Sequence, residues 1–189
     1  MEKMNKKWRI IKGQSPILLV ASHNYPQIRE GSIKPADIGT GDIVEKLCQN
    51  TKSWGIISQS VLYDPNWYEK SEFRIEVKEL INKNNIGIVL DFHGKKDSSD
   101  APVDFYPNSA FKQRFSACLI GLSTKSFKKN DQLTLSEDID HLGVPGLEIE
   151  IDKKTRLAGT KRYNIIVNEL ETLIIKLKEL IFLNGTGVN

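Results

Sequence analysis

The chain has 189 residues and a formal net charge of +3, with 39% hydrophobic and 27% charged residues. This length suffices for a sizeable core, and we expect one domain over residues 1–189. The charge is too small and too dispersed for a dedicated nucleic-acid binder. No apolar run approaches the roughly 20 residues of a membrane span. We therefore expect neither nucleic-acid nor membrane partners, and the oligomeric state is left open.

The Lys-rich start and the cysteines bear on the cellular compartment. Residues 1–14 lack the apolar core of a signal peptide and fit a solvated tail or an edge strand. Cys48 and Cys118 are too few for a disulfide framework, so we expect reduced thiols packed in the core. These features together predict a cytoplasmic protein.

The first part of the chain predicts a strand, a loop and a helix. Residues 15–22 form a short continuous apolar run, which is typical of a strand buried on both faces. Residues 23–41 are rich in Pro, Gly and polar side chains and predict a loop. Residues 42–50 predict a helix with Asp42 as its N-cap and Glu45 three residues further on.

The pattern then repeats. Residues 54–62 have strand character and 63–70 predict a loop. Residues 71–84 predict a helix that begins at the N-cap Ser71 and has one apolar face. Residues 86–92 are another strand of the buried type.

The second half of the chain is less regular. Residues 108–123 fit a helix or a strand, and we favour the helix. Residues 127–141 are polar and predict a loop, whereas 144–152 alternate like a strand. The long amphipathic segment 160–183 predicts a helix that packs on the sheet rather than a dimer zipper. The order of elements predicts an α/β domain with helices on both faces of the sheet.

Two of the three histidines follow predicted strands, where ligands bind in open α/β sheets. His23 comes directly after the first strand and His93 after the strand 86–92. Imidazole is a favoured zinc ligand, and a catalytic zinc site usually has three protein ligands. Glu30, Asp37 and Asp42 are the candidates for a third, acidic donor, although Asp42 is explained equally by helix capping.

Carboxylates near these strand ends are further candidates. Asp91 lies two residues before His93, so it could orient that histidine from the same face of the strand. Alternatively, Asp91 binds loop backbone. Glu148 and Glu150 share one face of a strand that is otherwise apolar. Either this is an edge strand with a solvated face, or one glutamate is a general base beside the metal.

Four motifs occur in an order that resembles the N-formylglutamate amidohydrolase family. They are "SH" after the first strand, "ADIGTGDIV", "LDFHG" and "GLEIEID", and they span residues 16–152. The looser relatives are poly-γ-glutamate hydrolases and zinc carboxypeptidases. The resemblance implies a three-layer α/β/α sandwich of the hydrolase type, with a mixed and mostly parallel sheet.

The resemblance also implies roles for individual residues. His23, Asp37 and His93 would bind one zinc ion, or another divalent transition metal. Glu150 would be the general base, with Glu148 as the alternative.

Substrate contacts are implied in the same way. Asn66 and Arg74 would hold a substrate carboxylate, because a planar guanidinium can bind carboxylate bidentately. The alternative for Arg74 is a surface charge in the first turn of a helix. His141 would polarise an oxyanion or is an ordinary loop histidine. The segment "HNYPQIREG" differs from the Gly-rich stretch that the family often has after its first histidine. This difference concerns the identity of the substrate more than the binding of the metal.

We therefore predict a zinc-dependent amidohydrolase that acts on a small anionic substrate. This would be an N-acyl amino acid or a γ-glutamyl or peptide amide. The alternatives are a carboxypeptidase-like peptidase, a small-molecule-binding module without catalysis on the same fold, and, from the pI of about 8.7 alone, a nucleic-acid-associated protein.

Overall fold

The computed structural model describes residues 7–97, 101–127 and 134–183. Its strands are β1 (Trp8–Ile11), β2 (Ile17–Ala21), β3 (Gln27–Arg29), β4 (Ser32–Lys34), β5 (Trp54–Ser58), β6 (Leu62–Tyr63), β7 (Ile88–Lys95), β8 (Val103–Pro107) and β9 (Gly146–Asp152). Its helices are α1 (Thr40–Thr51), α2 (Glu72–Lys83), α3 (Ser109–Phe115), α4 (Leu135–Asp140) and α5 (Lys161–Leu183), and a 3₁₀ turn spans Ser116–Leu119.

The main sheet has six strands in the order β1-β5-β2-β7-β9-β8. The four inner strands are parallel, and each outer strand is antiparallel to its neighbour. The inner strands β2 and β7 are apolar until their carboxyl ends, because both faces of the sheet are covered. A smaller sheet of β4, β3 and β6 lies in the connections after β2 and β5.

Two apolar layers enclose the main sheet. Side chains of α1, α3 and α5 pack on one face, and side chains of α2 and α4 pack on the other. This is the predicted three-layer sandwich with a mixed, mostly parallel sheet. The apolar stripe of α5 is buried in the first layer, as predicted for a helix that packs on the sheet. Cys48 and Cys118 are free, buried thiols of that layer.

The start of α1 differs from the prediction. Its N-cap is Gly39, at φ 92°, and Asp42 is an exposed residue inside the first turn. Asn24 takes over the capping role from a distance, since its side-chain oxygen accepts a hydrogen bond from the Gly41 amide (3.1 Å). The predicted partner Glu45 binds Arg9 instead. The prediction was wrong because the cap comes from a residue 17 positions away.

Four elements lie where no strand or helix was predicted. The loop 23–41 contains the hairpin β3–β4, which turns at Glu30 and Gly31 with positive φ at both residues. Strand β8 had no prediction, and it lies antiparallel to β9. In the predicted loop 127–141, residues 135–140 form α4 behind a capping box of Thr134 and Glu137, while 128–133 lie outside the described residues.

Two further predictions hold in part: the predicted strand 54–62 is divided into β5 and β6, which belong to different sheets, and the predicted helix 108–123 is limited to α3 and the 3₁₀ turn that follows it. The other elements lie where they were predicted. The predicted N-cap Ser71 accepts a hydrogen bond from the backbone amide of Arg74 at the start of α2. The Lys-rich start contributes the edge strand β1. Strand β9 is not an edge strand, because β7 and β8 flank it, and Glu148 on its glutamate face is buried, so the hypothesis of an edge strand with a solvated face was wrong. Among the described helices, none has the length and apolar character to cross a bilayer.

Candidate metal centre

The candidate site lies between the neighbouring strands β2 and β7, at the point where the order of the strands in the sheet reverses. From β2 the chain crosses over α1 to β5, and it returns over α2, on the opposite face, to β7. Between two such crossovers a crevice opens beyond the carboxyl ends of the neighbouring strands, and ligands bind there in open α/β sheets. His23 follows β2, and His93 lies near the end of β7. Topology therefore brings the two imidazoles together.

Three donor atoms converge in this crevice. The Nδ1 atoms of His23 and His93 are 3.1 Å apart. The Asp37 Oδ2 atom lies 3.5 Å from the first and 3.7 Å from the second. Ligands at zinc–nitrogen and zinc–oxygen distances on a tetrahedron would be about 3.3 Å apart. The triangle therefore has the size that a bound zinc ion requires.

The opposite nitrogen of each imidazole is bound to a buried carboxylate. His23 Nε2 lies 2.8 Å from Asp64 Oδ1, and His93 Nε2 lies 2.9 Å from Asp91 Oδ2. An ionised carboxylate only accepts hydrogen bonds, so each Nε2 donates its proton to its partner. In the neutral rings both Nδ1 lone pairs then face each other and Asp37. A cation between them satisfies all three groups, and this carboxylate–histidine pairing is typical of metal ligands.

The backbone holds Asp37 in place from both sides. Its amide donates to the carbonyl of His23 (2.7 Å), and its carbonyl accepts from the amide of Thr40 (3.2 Å) at the start of α1. The carbonyl of the next residue, Ile38, accepts from Arg156 Nη1 (2.6 Å). These bonds explain how a residue in an irregular segment can present its side chain to the histidines in a defined position.

Several carboxylates surround the two imidazoles and are coupled to them in their pKa values. Burial acts to raise the pKa of Asp37 and of Asp64, but hydrogen bonds with His23, and with His93 for Asp37, hold both well below their usual range. Burial lowers the pKa of His93, yet the charges of Asp91 and Glu148 raise it well above its ordinary value. A protein that gathers this many acids around two imidazoles favours a cation at the centre.

Glu148 and Glu150 differ in their surroundings. Glu148 is 8% exposed, and its Oε2 has no hydrogen-bond partner in the described part of the chain. Burial raises its pKa to about 7 against the attraction of His93, and the charges of Asp91 and Glu150 act in the same direction as burial. Glu150 is only partly buried, and burial raises its pKa as well.

Asp91, His93 and Glu148 form a second group that could hold an ion. Within this group, Asp91 already lies at hydrogen-bond distance (2.9 Å) from His93 Nε2. The first group leaves that bond intact and accounts for both Nδ1 atoms. We therefore take His23, Asp37 and His93 as the candidate metal ligands, with Asp91 as the partner that orients His93.

The other residues singled out in the sequence lie in different places. Glu30 is exposed in the hairpin turn and Asp42 is exposed on α1. Arg74 is fully buried rather than a surface charge, and it binds Asp138 (2.9 Å) and the carbonyl of Thr134 across α2 and α4. His141 is exposed at the end of α4. The structure does not bring these four side chains to the ligand triangle.

Asn66 does reach the site. Its Nδ2 atom lies 3.2 Å from His93 Nε2, and its Oδ1 accepts from the amide of Leu135 (2.8 Å). Because His93 Nε2 donates to Asp91 and Asn66 Nδ2 is also a donor, this contact is a close approach and not a hydrogen bond. Asn66 thus lies beside the imidazole of His93 while its side-chain oxygen binds the start of α4.

Sequence reasoning missed the partner of His23. Asp64 is fully buried and also accepts two hydrogen bonds from Arg29, at 2.9 and 2.6 Å. Arg29 in turn stacks on Trp67, 4.8 Å from the ring centroid. The signal was the "YDPNW" segment, from which only Asn66 was selected. Lys34 is a further unpredicted neighbour, with its Nζ 3.4 Å from His23 Nδ1.

A cavity of ≈ 470 Å³ adjoins the ligand Asp37. Basic side chains dominate its wall: Lys34, Lys95, Lys96, Lys153 and Arg156. Asp37 and Asp97 are its acidic residues. A positively lined space beside a candidate metal site favours small anions.

Comparison with known proteins supports the fold and leaves the family open. No family model and no curated protein matches the chain. Among solved structures, the gene product Atu2144 from Agrobacterium tumefaciens matches at a TM-score of 0.69 and 13% identity, over 91% of this chain and 93% of that one. A bacteriophage poly-γ-glutamate hydrolase matches at 0.60 and 12% identity, over 95% and 93%. This chain thus has the fold of these two proteins over nearly their whole length.

Proposed function

We propose that this protein is a zinc-dependent amidohydrolase that cleaves the C–N bond of a small anionic amide. The substrate would be an N-acyl amino acid, as the resemblance to N-formylglutamate amidohydrolases suggests, or a γ-glutamyl or peptide amide. The fold shared with the phage poly-γ-glutamate hydrolase is compatible with this activity. Another divalent transition metal could occupy the same set of donors.

One observation carries the proposal. Two imidazole Nδ1 atoms and one carboxylate oxygen converge at 3.1–3.7 Å, while both opposite nitrogens bind buried carboxylates. Three protein donors leave the fourth position of a tetrahedral zinc ion for water, as in catalytic sites. Zinc bound there would supply a water of lowered pKa and a Lewis-acid contact for the scissile carbonyl.

The protein's own residues would then move the proton. We assign the general base to Glu148 rather than to Glu150, because Glu148 is buried beside His93 with an unpartnered carboxylate oxygen. A carboxylate with a pKa near 7 can accept a proton from water and return it to the leaving nitrogen. The basic cavity beside Asp37 would receive the anionic part of the substrate.

The first test is the metal content of the purified protein by elemental analysis. We expect about one zinc per chain in the wild type and little in His93→Ala or His23→Ala. Asp42→Asn is the matched control, since Asp42 is an acid from the same part of the chain that is exposed on α1. Absence of zinc in all four proteins, even after incubation with the metal, would refute the proposal.

The second test is hydrolysis of a panel of N-formyl, N-acetyl and γ-glutamyl amino acids with and without zinc. Zinc-dependent release of the free amine supports the amidohydrolase. Stoichiometric zinc without turnover of any anionic amide would instead favour the binding module on the same fold. Cleavage only of C-terminal residues from longer peptides would favour the carboxypeptidase-like alternative.

A further inference from the structure

Arg156 is a buried cation that forms no direct salt bridge within the described residues. It is 5% exposed, and its guanidinium forms no ion pair with a carboxylate in residues 7–97, 101–127 or 134–183. Its Nε donates to the carbonyl of Ile151 (3.0 Å) and its Nη1 to that of Ile38 (2.6 Å). Its Nη2 has no acceptor within the same described ranges. The carboxylates of Asp37, Asp152 and Asp97 attract this guanidinium only from a distance, so among the described residues it has no direct ionic partner of the kind that buried charges normally have.

The surrounding backbone leaves room for this one side chain. A Cβ at Gly94 would lie 2.4 Å from the guanidinium carbon of Arg156, and a Cβ at Gly39 would lie 2.5 Å from its carbonyl oxygen. Gly94 directly follows the ligand His93, and Gly39 lies two residues after the ligand Asp37. The guanidinium lies across the end of β7, so any side chain at position 94 would clash with it. This explains the glycine of "LDFHG".

The side chain is also in the right place to meet a ligand. Arg156 lines the basic cavity that adjoins Asp37. Of the other cations there, Lys95 is already paired with Asp104 (2.5 Å). Lys96 and Lys153 are exposed to solvent, where a charge is screened. Arg156 is the cavity cation that is both buried and held rigidly by two carbonyls.

We infer that Arg156 anchors a carboxylate of the substrate, and so determines specificity for amides that carry a carboxylate beside the scissile bond. This inference rests on the proposed function. Two backbone carbonyls fix the plane of the guanidinium, so Nη2 is oriented before a ligand arrives. A preorganised planar donor loses little entropy when a carboxylate binds. The substrate carboxylate would then form the direct ion pair that Arg156 does not make with the described residues.

The test uses the full chain freed of metal with a chelator, and isothermal titration calorimetry with glutarate. Glutaramide, the uncharged diamide of the same carbon chain, is the comparison ligand. We expect wild type to bind glutarate and not glutaramide, and Arg156→Gln to bind glutarate at least tenfold more weakly. Lys46→Gln is the matched control, because it removes one exposed positive charge on α1, outside the cavity wall.

A second variant guards against unfolding of Arg156→Gln, whose side chain also binds the carbonyl of Ile38. Gly94→Ala keeps the charge of Arg156 but places a methyl group where the guanidinium lies. We expect the same loss of glutarate binding, with Arg156 still present. Circular dichroism identifies which variants are folded, and at least one folded variant suffices.

Two outcomes would overturn the inference: glutarate affinity in folded Arg156→Gln or Gly94→Ala equal to that of the wild type, or equal binding of glutaramide and glutarate by the wild type. Because binding is measured without metal, its failure differs from failure of the proposed function. The latter would appear as absence of zinc in the wild type, with the anion still bound.

Discussion

At the scale of single residues, the two glutamates of β9 can be separated by experiment. Under saturating zinc, we expect Glu148→Gln to lower kcat by about 10²–10⁴-fold, the usual contribution of a general base. Glu150→Gln, two residues along the same face, is the matched control and should retain kcat within about tenfold. Equal zinc content in both variants would tie the difference to proton transfer. The reverse order of activities would return the role to Glu150.

Asp64 is expected to control the affinity of the site for metal. It accepts from His23 Nε2 and is itself held by Arg29. Asp64→Asn removes the charge at nearly constant shape, and we expect zinc affinity to fall by about 10–100-fold. A competition titration against a chromophoric chelator measures this directly. Glu30→Gln, which changes an exposed acid of the hairpin turn, should bind zinc like the wild type; equal affinities in all three proteins would contradict the role.

At the scale of elements, the start of α1 provides a test of how the ligand segment is held. Asn24→Ala removes the acceptor for the Gly41 amide, and we expect a loss of about 1 kcal/mol of unfolding free energy. Asp42→Ala should cost less, about 0.5 kcal/mol, since the exposed Asp42 interacts with the helix dipole and, at longer range, with Arg9. Urea unfolding of the two variants measures both values. A larger loss for Asp42→Ala would mean that the local cap had been the correct prediction.

The helices and strands that could be predicted are those whose own residues form a recognisable pattern. The strands β2 and β7 are apolar runs, and α2 begins at a Ser cap followed by an apolar stripe. Strand β8 has five residues and α4 has six, so neither is long enough for a periodicity to stand out. The capping box of Thr134 and Glu137 was the local signal for α4.

Only those site residues that lie at strand ends or in recognisable motifs could be predicted from the sequence. His23, Asp37 and His93 could be selected from the sequence because two follow apolar strands and one precedes a Gly-rich turn. Asp64 and Arg156 could not, because their roles arise from contacts with residues 41 and 118 positions away. In the sequence, Arg74 resembled a cation that binds substrate. In the fold, it binds Asp138 of α4 and the carbonyl of Thr134 instead.

At the scale of the whole molecule, Glu148 links stability to pH when no metal is bound. Its pKa is about 7 in the folded chain and about 4.5 as an ordinary glutamate, so the unfolded chain releases the proton first. The contribution of Glu148 to the free energy of unfolding therefore falls as the pH rises from 4.5 to 7. Glu148→Gln has no carboxyl group that titrates at this position. We therefore expect its free energy of unfolding, relative to that of the wild type, to rise by on the order of 2 kcal/mol between pH 4.5 and pH 7.

Urea unfolding of the metal-free proteins at pH 4.5 and pH 8 measures this difference. Glu30→Gln should follow the wild type at both pH values, because Glu30 is exposed in a turn. A constant offset between Glu148→Gln and wild type at the two pH values would mean that the carboxyl group ionises normally in the folded chain.

The position of the site between β2 and β7 has a consequence for folding. His23 and His93 are 70 residues apart in the chain, so their donor atoms meet only after the two strands have paired in parallel. Parallel pairing over such a separation is slow, because a long loop must close first. A metal ion would thus arrive after the rate-limiting step and act on the finished molecule. It would lengthen the lifetime of the folded chain without hastening its formation.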